Sequence, residues 1–368
     1  MLKDHQIDID LTRRALELAA DGIGLVSPNP LVGCVITSKD GTIVGEGTYT
    51  RQGVIHAEAI ALEQAGPLAA GGTAYVSLEP HDHHGKTPPC TEALIGSGIA
   101  RVVCPIEDPN PLVSGRGFET LRNAGVEVVV GILSDEAARL NEKFICWHQK
   151  KRPFVHLKLA MSLDGRISLS DSVSTALPGA EAITRVQDIR NEHDAILIGS
   201  NTAFVDDPSL TDRSGKPRQK PLARVVLDNR LRIPINSTLV TTARETPTIV
   251  FTRSNEREKI DQLRRAGVNV IETREGGRDL AGVLEHLRQL EIQSVLVEGG
   301  TEIAGSFCDA RLVDKVSFIA APIIIGGRTA PNAIGGSGAE SLASVLRLRD
   351  LTVSHLGGDI EITGYPSN

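Results

Sequence analysis

Short apolar runs alternate with segments of helical periodicity along the whole chain, and this alternation restricts the fold more than any other feature. In the first half, apolar runs at 32–37, 73–78, 101–105 and 126–130 are separated by segments whose apolar spacing predicts helices. Such alternation predicts a sheet with helices on both faces. Because only 3% of the residues are aromatic, the cores must be aliphatic. Aliphatic runs of this kind suit buried parallel strands.

The length of the chain predicts two domains. Its 368 residues are more than one hydrophobic core usually serves. A short basic stretch that ends in proline, at 149–153, is suited to a linker. We therefore predict an α/β chain with one domain at 1–148 and a second at 149–368, whose short apolar strands lie between 154 and 297.

Local signals in the first half predict three elements. Asp10 is expected to cap a helix that Gly22 ends. The turn at Asp40-Gly41 predicts a β-hairpin, because such turns need residues with positive φ. Segment 134–147 is expected to form one helix that closes this half.

Charge and cysteine content exclude several classes of protein. The net charge of -7 disfavours a nucleic-acid or anionic-membrane binder, and small molecules are the expected partners. No apolar run approaches the roughly 20 residues that cross a bilayer, so we expect a cytoplasmic protein. Five scattered cysteines make a disulfide framework improbable, and a special cysteine is expected to be a ligand or a nucleophile.

Three potential metal ligands lie at the starts and ends of predicted elements in the first half. His56 begins a predicted helix, His81 follows a predicted strand, and Cys90 begins the next helix. Three protein ligands leave a fourth tetrahedral position for water, as in catalytic rather than structural zinc sites. Glu58 lies two residues after His56 and is expected to carry the proton from water to a departing amine. This is the chemistry of a hydrolytic deaminase.

Over nearly its whole length the chain resembles the bifunctional deaminase-reductase family of riboflavin biosynthesis, the RibD type. The resemblance rests on six stretches of sequence, at 27–33, 56–58, 83–90, 108–111, 158–166 and 297–300. It implies a cytidine-deaminase-like α/β/α sandwich followed by a dihydrofolate-reductase-like α/β domain. It also implies Zn²⁺ on His56 and Cys90, and substrate contacts from Asn29, His83 and Lys86.

The chain departs from the family pattern inside the predicted zinc site. His81 stands where the family has a cysteine, and Tyr49 stands where it usually has a histidine. Imidazole is a good zinc ligand, so a site of two histidines and one cysteine is chemically sound. The departures leave open a reductase whose deaminase domain is decayed, or redirected to a different heterocycle.

A pair of glycines in the second half lies between a predicted strand and a helix. Backbone N–H groups at Gly299-Gly300 can approach a phosphate, although the chain contains no G-x-G-x-x-G motif. The resemblance implies NADPH as the cofactor and a ribosyl carbon as the group reduced. Lys158 and Asp206 are the candidates for the polar groups at that carbon. The implied cofactor contacts are Ala160, Thr202, Asp206, Asn229, Gly300, Thr301, Glu302, Ile303, Ala304, Gly305 and Ser306. The implied substrate contacts are Ser174, Arg190, Leu210, Arg213 and Glu298.

The predicted function is therefore deamination of a phosphoribosylamino-pyrimidine followed by NADPH-dependent reduction of its ribose, in a homo-oligomer. A non-catalytic metal- or nucleotide-binding protein is the alternative from another class. Retention of Glu58, Lys158 and Asp206 beside the binding motifs disfavours it. A nucleic-acid deaminase is disfavoured by the net charge.

Overall fold

The computed structural model describes residues 2–50, 55–84, 88–111, 113–170, 173 and 175–367, with side chains from residue 5 onward. The chain divides into two compact units, Met1–Lys151 and Arg152–Asn368. Each unit contains its own β-sheet. Among the described residues, no helix combines the length and the apolar character needed to cross a membrane.

The first unit is built on a mixed sheet. Its strands are β1 (Gly33–Thr37), β2 (Ile43–Thr48), β3 (Thr73–Val76), β4 (Arg101–Cys104) and β5 (Glu127–Val130). Its helices are α1 (Leu2–Ala20), α2 (Ala57–Ala65), α3 (Cys90–Gly96), α4 (Arg116–Asn123), α5 (Ser134–Leu140) and α6 (Glu142–Gln149). The strand order is β2-β1-β3-β4-β5. Strand β1 pairs antiparallel with both neighbours, whereas β3, β4 and β5 are parallel. The predicted hairpin is confirmed.

Alternate side chains of β1 enter cores on opposite faces of this sheet. Cys34 and Ile36 pack with Ala61 of α2, whereas Val35 packs with Ala15 of α1. Successive side chains of a strand point to opposite faces, so a strand that is buried throughout needs a helix on each side. The prediction of helices on both faces of a sheet is confirmed.

The predicted start of the first helix is wrong. Helix α1 begins at Leu2, so Asp10 lies inside it rather than at its cap. Two residues earlier, the buried carboxylate of Asp8 accepts hydrogen bonds from Arg101 at 2.7 and 2.8 Å and from the Tyr75 hydroxyl at 3.0 Å. These long-range contacts anchor the first turns of the helix to the sheet.

The predicted single helix over 134–147 is also wrong, because it is divided at Asn141 into α5 and α6. At this break between the two helices, the side-chain amide of Asn141 binds the backbone of Leu31. Its oxygen accepts the Leu31 N–H and its nitrogen donates to the Leu31 carbonyl, both at 2.9 Å. This exchange ties the end of the unit to the segment that precedes β1.

The second unit contains a larger sheet that is parallel over most of its width. Its strands are β6 (Phe154–Ser162), β7 (Ala195–Gly199), β8 (Ala223–Leu227), β9 (Thr248–Thr252), β10 (Asn269–Glu272), β11 (Ser294–Gly299), β12 (Lys315–Ala321), β13 (Arg347–Leu356) and β14 (Asp359–Ser367). Its helices are α7 (Ala180–Asn191), α8 (Ser200–Asp206), α9 (Thr238–Thr241), α10 (Arg257–Ala266), α11 (Leu280–Gln289) and α12 (Thr301–Asp309). The order is β10-β9-β8-β7-β11-β6-β12-β14-β13, with only the pairs β12-β14 and β14-β13 antiparallel.

The central strands of this sheet are buried on both faces. In β7, Leu197 belongs to one apolar core, whereas Ile196 and Ile198 belong to the core on the other face. The apolar strands predicted between 154 and 297 are therefore those of a parallel α/β sheet. Its centre places the carboxyl ends of β6, β7 and β11 side by side, where ligands bind in open α/β sheets.

Candidate active sites

The three predicted metal ligands meet in the first unit. His56 precedes α2, Cys90 is the first residue of α3, and His81 lies on the segment that follows β3. One side-chain donor atom from each lies within 4.8 Å of the other two. The His56 and His81 rings are 4.4 Å apart between centroids. The arrangement matches a set of ligands for one tetrahedral metal ion.

Gly47 on β2 allows the first turn of α2 to pack close to the sheet, beside the metal-ligand set. A Cβ at Gly47 would lie 2.1 Å from the carbonyl oxygen of Ala57, so only glycine permits β2 and α2 to approach so closely. His56 and Glu58 flank Ala57 in sequence. The close approach therefore fixes both functional side chains against the sheet.

Two buried polar atoms of the site have no hydrogen-bond partner among the described residues: Oε2 of Glu58 and Nδ1 of His81. Burying a polar atom without a partner costs free energy, so each of these two atoms calls for a partner that a bound group can supply. A zinc ion between His56, His81 and Cys90 would satisfy the imidazole nitrogen, and a substrate or water would satisfy the carboxylate. The residues present therefore fit a zinc site.

The surroundings favour the neutral form of the His81 imidazole. Burial, together with the neighbouring His56 and His83, lowers the pKa of His81 to about 4. Burial and the negative charge of Glu58 raise the pKa of the Cys90 thiol. Neutral imidazole is the form that binds a metal ion, whereas a cysteine ligand loses its proton when the metal arrives.

Two of the predicted substrate contacts border the metal-ligand set. The Asn29 amide donates a 2.6 Å hydrogen bond to the hydroxyl of Tyr49, whose ring lies 5.4 Å from that of His56. The ring of His83 lies 5.3 Å from that of His81. Lys86, the third predicted contact, is outside the described residues.

Glu79 supports this site and was not singled out from the sequence. Its buried carboxylate accepts backbone N–H groups from Asp108 at 3.0 Å and from Gly115 and Gly117 at 2.9 Å. It therefore holds the segment before α4 against the segment that leads to His81. The sequence signal was the Leu-Glu-Pro triplet before the ligand, which does not disclose what the carboxylate binds.

In the second unit, three predicted residues form one buried ionic cluster. Glu298 accepts hydrogen bonds from Arg190 at 2.8 and 2.9 Å, and its Oε2 lies 3.5 Å from the Lys158 ammonium. A further nitrogen of Arg190 donates to the Thr211 carbonyl at 3.0 Å. Burial by itself raises the pKa of the Glu298 carboxyl, but Lys158 and Arg190 outweigh it and lower that pKa to about 2. The cluster therefore carries a net positive charge.

The predicted cofactor segment begins where β11 ends. Gly300 has φ +60° and precedes α12, so the chain turns from strand into helix there. A Cβ on Gly300 would lie 3.3 Å from the Thr202 hydroxyl, so these two predicted cofactor residues adjoin. The predicted contacts 300–306 are this turn and the first turns of α12. Ala160 lies on β6, and the residues of β6 that pair with β11, 154–157, come before it in the strand.

The remaining predicted residues of the second unit lie on segments that follow β7 and β8. Asp206 is the exposed last residue of α8, and no described hydrogen bond or ion pair joins it to Lys158. Leu210 is buried with φ +48°. Arg213 is exposed, and the Asn229 side chain accepts the Gly277 N–H at 2.8 Å. Ser174 is outside the described residues.

Comparison with known proteins matches both units. Residues 5–106 match the cytidine and deoxycytidylate deaminase zinc-binding region, and residues 153–362 match the RibD C-terminal domain. The riboflavin biosynthesis protein RibD of Actinobacillus pleuropneumoniae is 42% identical over 355 residues, which cover 96% of this chain and 94% of that protein. The chain belongs to the RibD family. The RibD protein of Aquifex aeolicus is 42% identical over 97% of this chain and 98% of its own length.

Solved RibD structures have the same fold over the full length. A structure of Acinetobacter baumannii RibD is 36% identical and superposes with a TM-score of 0.87, covering 99% of this chain and 100% of that one. A Thermotoga maritima protein is 34% identical with a TM-score of 0.88 and the same coverage. That protein is described as a diaminohydroxyphosphoribosylaminopyrimidine deaminase and 5-amino-6-(5-phosphoribosylamino)uracil reductase. The predicted fold class, with a cytidine-deaminase-like unit followed by a RibD reductase unit, is confirmed.

Proposed function

We propose that the chain is a bifunctional enzyme of riboflavin biosynthesis. The domain at 1–148 hydrolyses the 2-amino group of 2,5-diamino-6-(5-phosphoribosylamino)pyrimidin-4-one, and the domain at 149–368 reduces the ribosyl group of the resulting 5-amino-6-(5-phosphoribosylamino)uracil with NADPH. The observation that carries the proposal is the convergence of His56, His81 and Cys90 beside Glu58, whose carboxylate contacts Cys90 and whose Oε2 has no hydrogen-bond partner among the described residues.

In the deaminase, His56, His81 and Cys90 would hold the zinc ion. Zinc supplies the Lewis acidity that makes water a nucleophile at neutral pH. Glu58 Oε2, which has no hydrogen-bond partner in the described part of the chain, accepts the proton of the attacking water and delivers it to the departing amine. A carbon–oxygen bond thus replaces the carbon–nitrogen bond, and ammonia leaves.

The pyrimidine is oriented by the polar groups that border the metal ligands. Tyr49 fixes the Asn29 amide by accepting one of its N–H groups, which leaves the amide oxygen and the other N–H for the substrate. His83 lies on the His81 side of the site. We assign Lys86 to the phosphate on the strength of the family resemblance.

In the reductase, bound NADPH would supply the hydride that reduces the ribosyl carbon. Lys158, held by Glu298, is the proton donor to the ring oxygen released when the sugar opens, and Asp206 is the second candidate for a polar group at that carbon. The guanidinium groups of Arg190 and Arg213 suit the substrate phosphate, because a planar guanidinium binds phosphate with two hydrogen bonds. Leu210 and Ser174 are assigned to the same substrate site.

NADPH is assigned to the carboxyl ends of the central strands. Gly300, with φ +60°, immediately precedes α12, and the start of a helix favours a phosphate. Thr202 adjoins the turn. Ala160 and Asn229 are assigned to the nicotinamide and adenosine ends, respectively.

The replacement Glu58→Gln separates the two activities. The variant is expected to lose ammonia release while it still oxidises NADPH with the uracil substrate, because glutamine cannot accept the proton of water. Glu63→Gln, at an exposed position of the same helix, is the matched control and should keep both activities. Equal loss of both activities in Glu58→Gln would refute the two-site proposal.

The alternative that His81 left open, a reductase whose deaminase domain no longer turns over, is not favoured, because His81 lies in one ligand set with His56 and Cys90 and both domains match their family models. This alternative predicts NADPH oxidation by the purified chain but no ammonia release. Zinc content distinguishes the two, because a decayed site would not retain a stoichiometric ion.

Self-association and a cytoplasmic location stay predictions. Strand β13 at the edge of the large sheet supports the first, since Leu351 and Val353 on it are 58% and 63% exposed. An exposed edge with apolar side chains favours pairing with another chain. Sedimentation of the purified protein tests this, and Val353→Lys is expected to shift the population toward the monomer.

A further inference from the structure

Asp82 joins two segments that each carry a ligand of the proposed zinc site. It follows His81 directly in sequence, and Thr91 follows Cys90 directly. The Thr91 hydroxyl donates to one Asp82 oxygen at 2.6 Å. The backbone N–H of Thr91 also points to the His81 carbonyl, at 3.4 Å. The residues next to the two ligands are thus linked by both side chain and backbone.

The second oxygen of Asp82 is also occupied. It accepts a 2.9 Å hydrogen bond from the Thr120 hydroxyl on α4. Thr91 is fully buried, and α4 is itself fixed at its start by the Glu79 carboxylate, which accepts the Gly117 N–H. The Asp82 carboxylate is therefore anchored to two helices that are packed against the sheet.

This anchoring matters because the three ligands differ in how they are supported. His56 and Cys90 lie at helix starts, whereas His81 lies on irregular backbone after β3. Functional groups on regular elements are held more accurately than those on loops, unless supporting hydrogen bonds fix the loop. Asp82 supplies such bonds one residue from the ligand. It is not in the metal-ligand set itself.

We propose that Asp82 is a positioning residue of the zinc site, which holds the His81 segment at ligand distance from Cys90 by binding Thr91 and Thr120. The inference rests on the proposed zinc-dependent deaminase. It assigns to Asp82 an effect on zinc affinity and on the geometry of coordination, and none on the reductase.

Two substitutions at Asp82 separate positioning from charge. Asp82→Ala removes both acceptors. Asp82→Asn keeps the shape, and its amide can bind both threonine hydroxyls, since a hydroxyl both donates and accepts. Supporting partners of metal ligands typically change metal affinity by about 10- to 100-fold when removed. We expect a loss of that size for Asp82→Ala and a loss of less than about 5-fold for Asp82→Asn, well below that range.

The test is zinc affinity of the full-length protein, measured by competition with a chromophoric chelator. The absorption spectrum of the Co²⁺-loaded protein reports on the cysteine–metal bond and on coordination geometry. Thr91→Val, which keeps the side-chain volume but removes the donor, should weaken zinc binding as well. It keeps the test valid if Asp82→Ala folds poorly. NADPH oxidation by each variant reports on the folding of the second domain and should be unchanged.

Each outcome decides the question. Weaker zinc binding and an altered Co²⁺ spectrum in Asp82→Ala and Thr91→Val, with rescue by Asp82→Asn, support positioning. Unchanged affinity in Asp82→Ala and Thr91→Val overturns it, and an equal loss in Asp82→Asn and Asp82→Ala overturns it in favour of a charge effect. Failure of the unsubstituted protein to bind zinc would instead refute the proposed deaminase site.

Discussion

The carboxylate of Glu298 accepts two parallel hydrogen bonds from the guanidinium of Arg190, at 2.8 and 2.9 Å, in the interior of the second unit. The Lys158 ammonium lies 3.5 Å from the same carboxylate. One buried anion thus neutralises part of the charge of two buried cations. Because it is paired with both Lys158 and Arg190, Glu298 connects the stability of the reductase domain to the proposed substrate site.

Glu298→Gln is expected to destabilise the second domain by about 3–5 kcal/mol at pH 7, because removing one partner leaves buried charge uncompensated. Reductase turnover should fall together with stability, since Lys158 and Arg190 both lose the carboxylate that holds them in position. Scanning calorimetry of the full chain measures the effect. Glu285→Gln, at an exposed position of α11, is the control. Equal transition temperatures for the two variants would contradict this account of the cluster.

The contribution of Glu298 has a defined pH dependence. Its pKa is lowered to about 2 in the folded protein, from an ordinary value of 4.5. The unfolded chain therefore binds this proton more readily, and the stabilisation is complete above pH 4.5 and is lost as the pH falls toward 2. The difference in stability between the unsubstituted protein and Glu298→Gln should shrink over that interval. A constant difference would show that the charge of Glu298 is not its source.

Asp108 has the opposite dependence. Burial raises the pKa of its carboxyl from 3.8 to about 6. The Asn110 N–H lowers this pKa, and the charge of Glu79 raises it further. The folded state then binds the proton more tightly, so the contribution of Asp108 to stability is greatest below pH 3.8 and is lost as the pH rises through 6.

Asp108→Asn removes this ionisation but keeps an acceptor for the Asn110 N–H. The stability of the variant relative to the unsubstituted protein is expected to rise from pH 4 to pH 6 and then to level off. Thermal unfolding followed at a series of pH values measures it. Asp135→Asn, at an exposed site on α5, should show no such trend. A relative stability of Asp108→Asn that falls over the same range would contradict the prediction.

Arg224 is fully buried, and its guanidinium makes four hydrogen bonds to neutral oxygens. It binds the Ser209 carbonyl at 3.2 Å and the Thr242 hydroxyl at 2.8 Å through one nitrogen. Through another it binds the Leu239 carbonyl at 3.2 Å and the Thr246 carbonyl at 2.7 Å. Burial lowers its pKa to about 10, so it stays charged at neutral pH. It joins the segment before Leu210 to helix α9.

Arg224→Met is expected to cost about 1–3 kcal/mol for each buried acceptor left without a donor. Because the Ser209 segment adjoins the assigned substrate residue Leu210, KM for the uracil substrate should rise more than kcat falls. Arg224→Lys retains the charge but not the planar set of donors, so it should recover only part of the stability. Calorimetry and reductase kinetics measure both effects. Arg265→Met, at an exposed site, is the control, and equal KM values in the two methionine variants would contradict the prediction.

The sequence predicted the parallel strands from β6 to β11 because their apolar runs are short and uninterrupted. It did not predict β12, β13 or β14. The residues of β13 are mostly exposed and carry no buried alternation to detect. The start of α1 and the division of segment 134–147 at Asn141 were not predicted for a different reason. Both depend on hydrogen bonds between residues far apart in sequence, namely Arg101 with Asp8 and Asn141 with Leu31.

The metal-ligand set was predictable because His-Ala-Glu and Pro-Pro-Cys are local motifs at element starts. The structure brings His56, His81 and Cys90 together as predicted. The supporting groups were not predictable. Asp82 binds Thr120, 38 residues further along the chain, and only folding brings these two together.

The most direct test of the account is ammonia release from the diaminopyrimidine ribosyl phosphate by the zinc-supplied protein, without NADPH. We expect release by the unsubstituted protein, its loss in His81→Ala, and its retention in His84→Ala, since His84 is an exposed neighbour outside the metal-ligand set. Release would establish that two histidines and one cysteine form a competent deaminase site. No release from a sample that still oxidises NADPH with the uracil substrate would contradict the account.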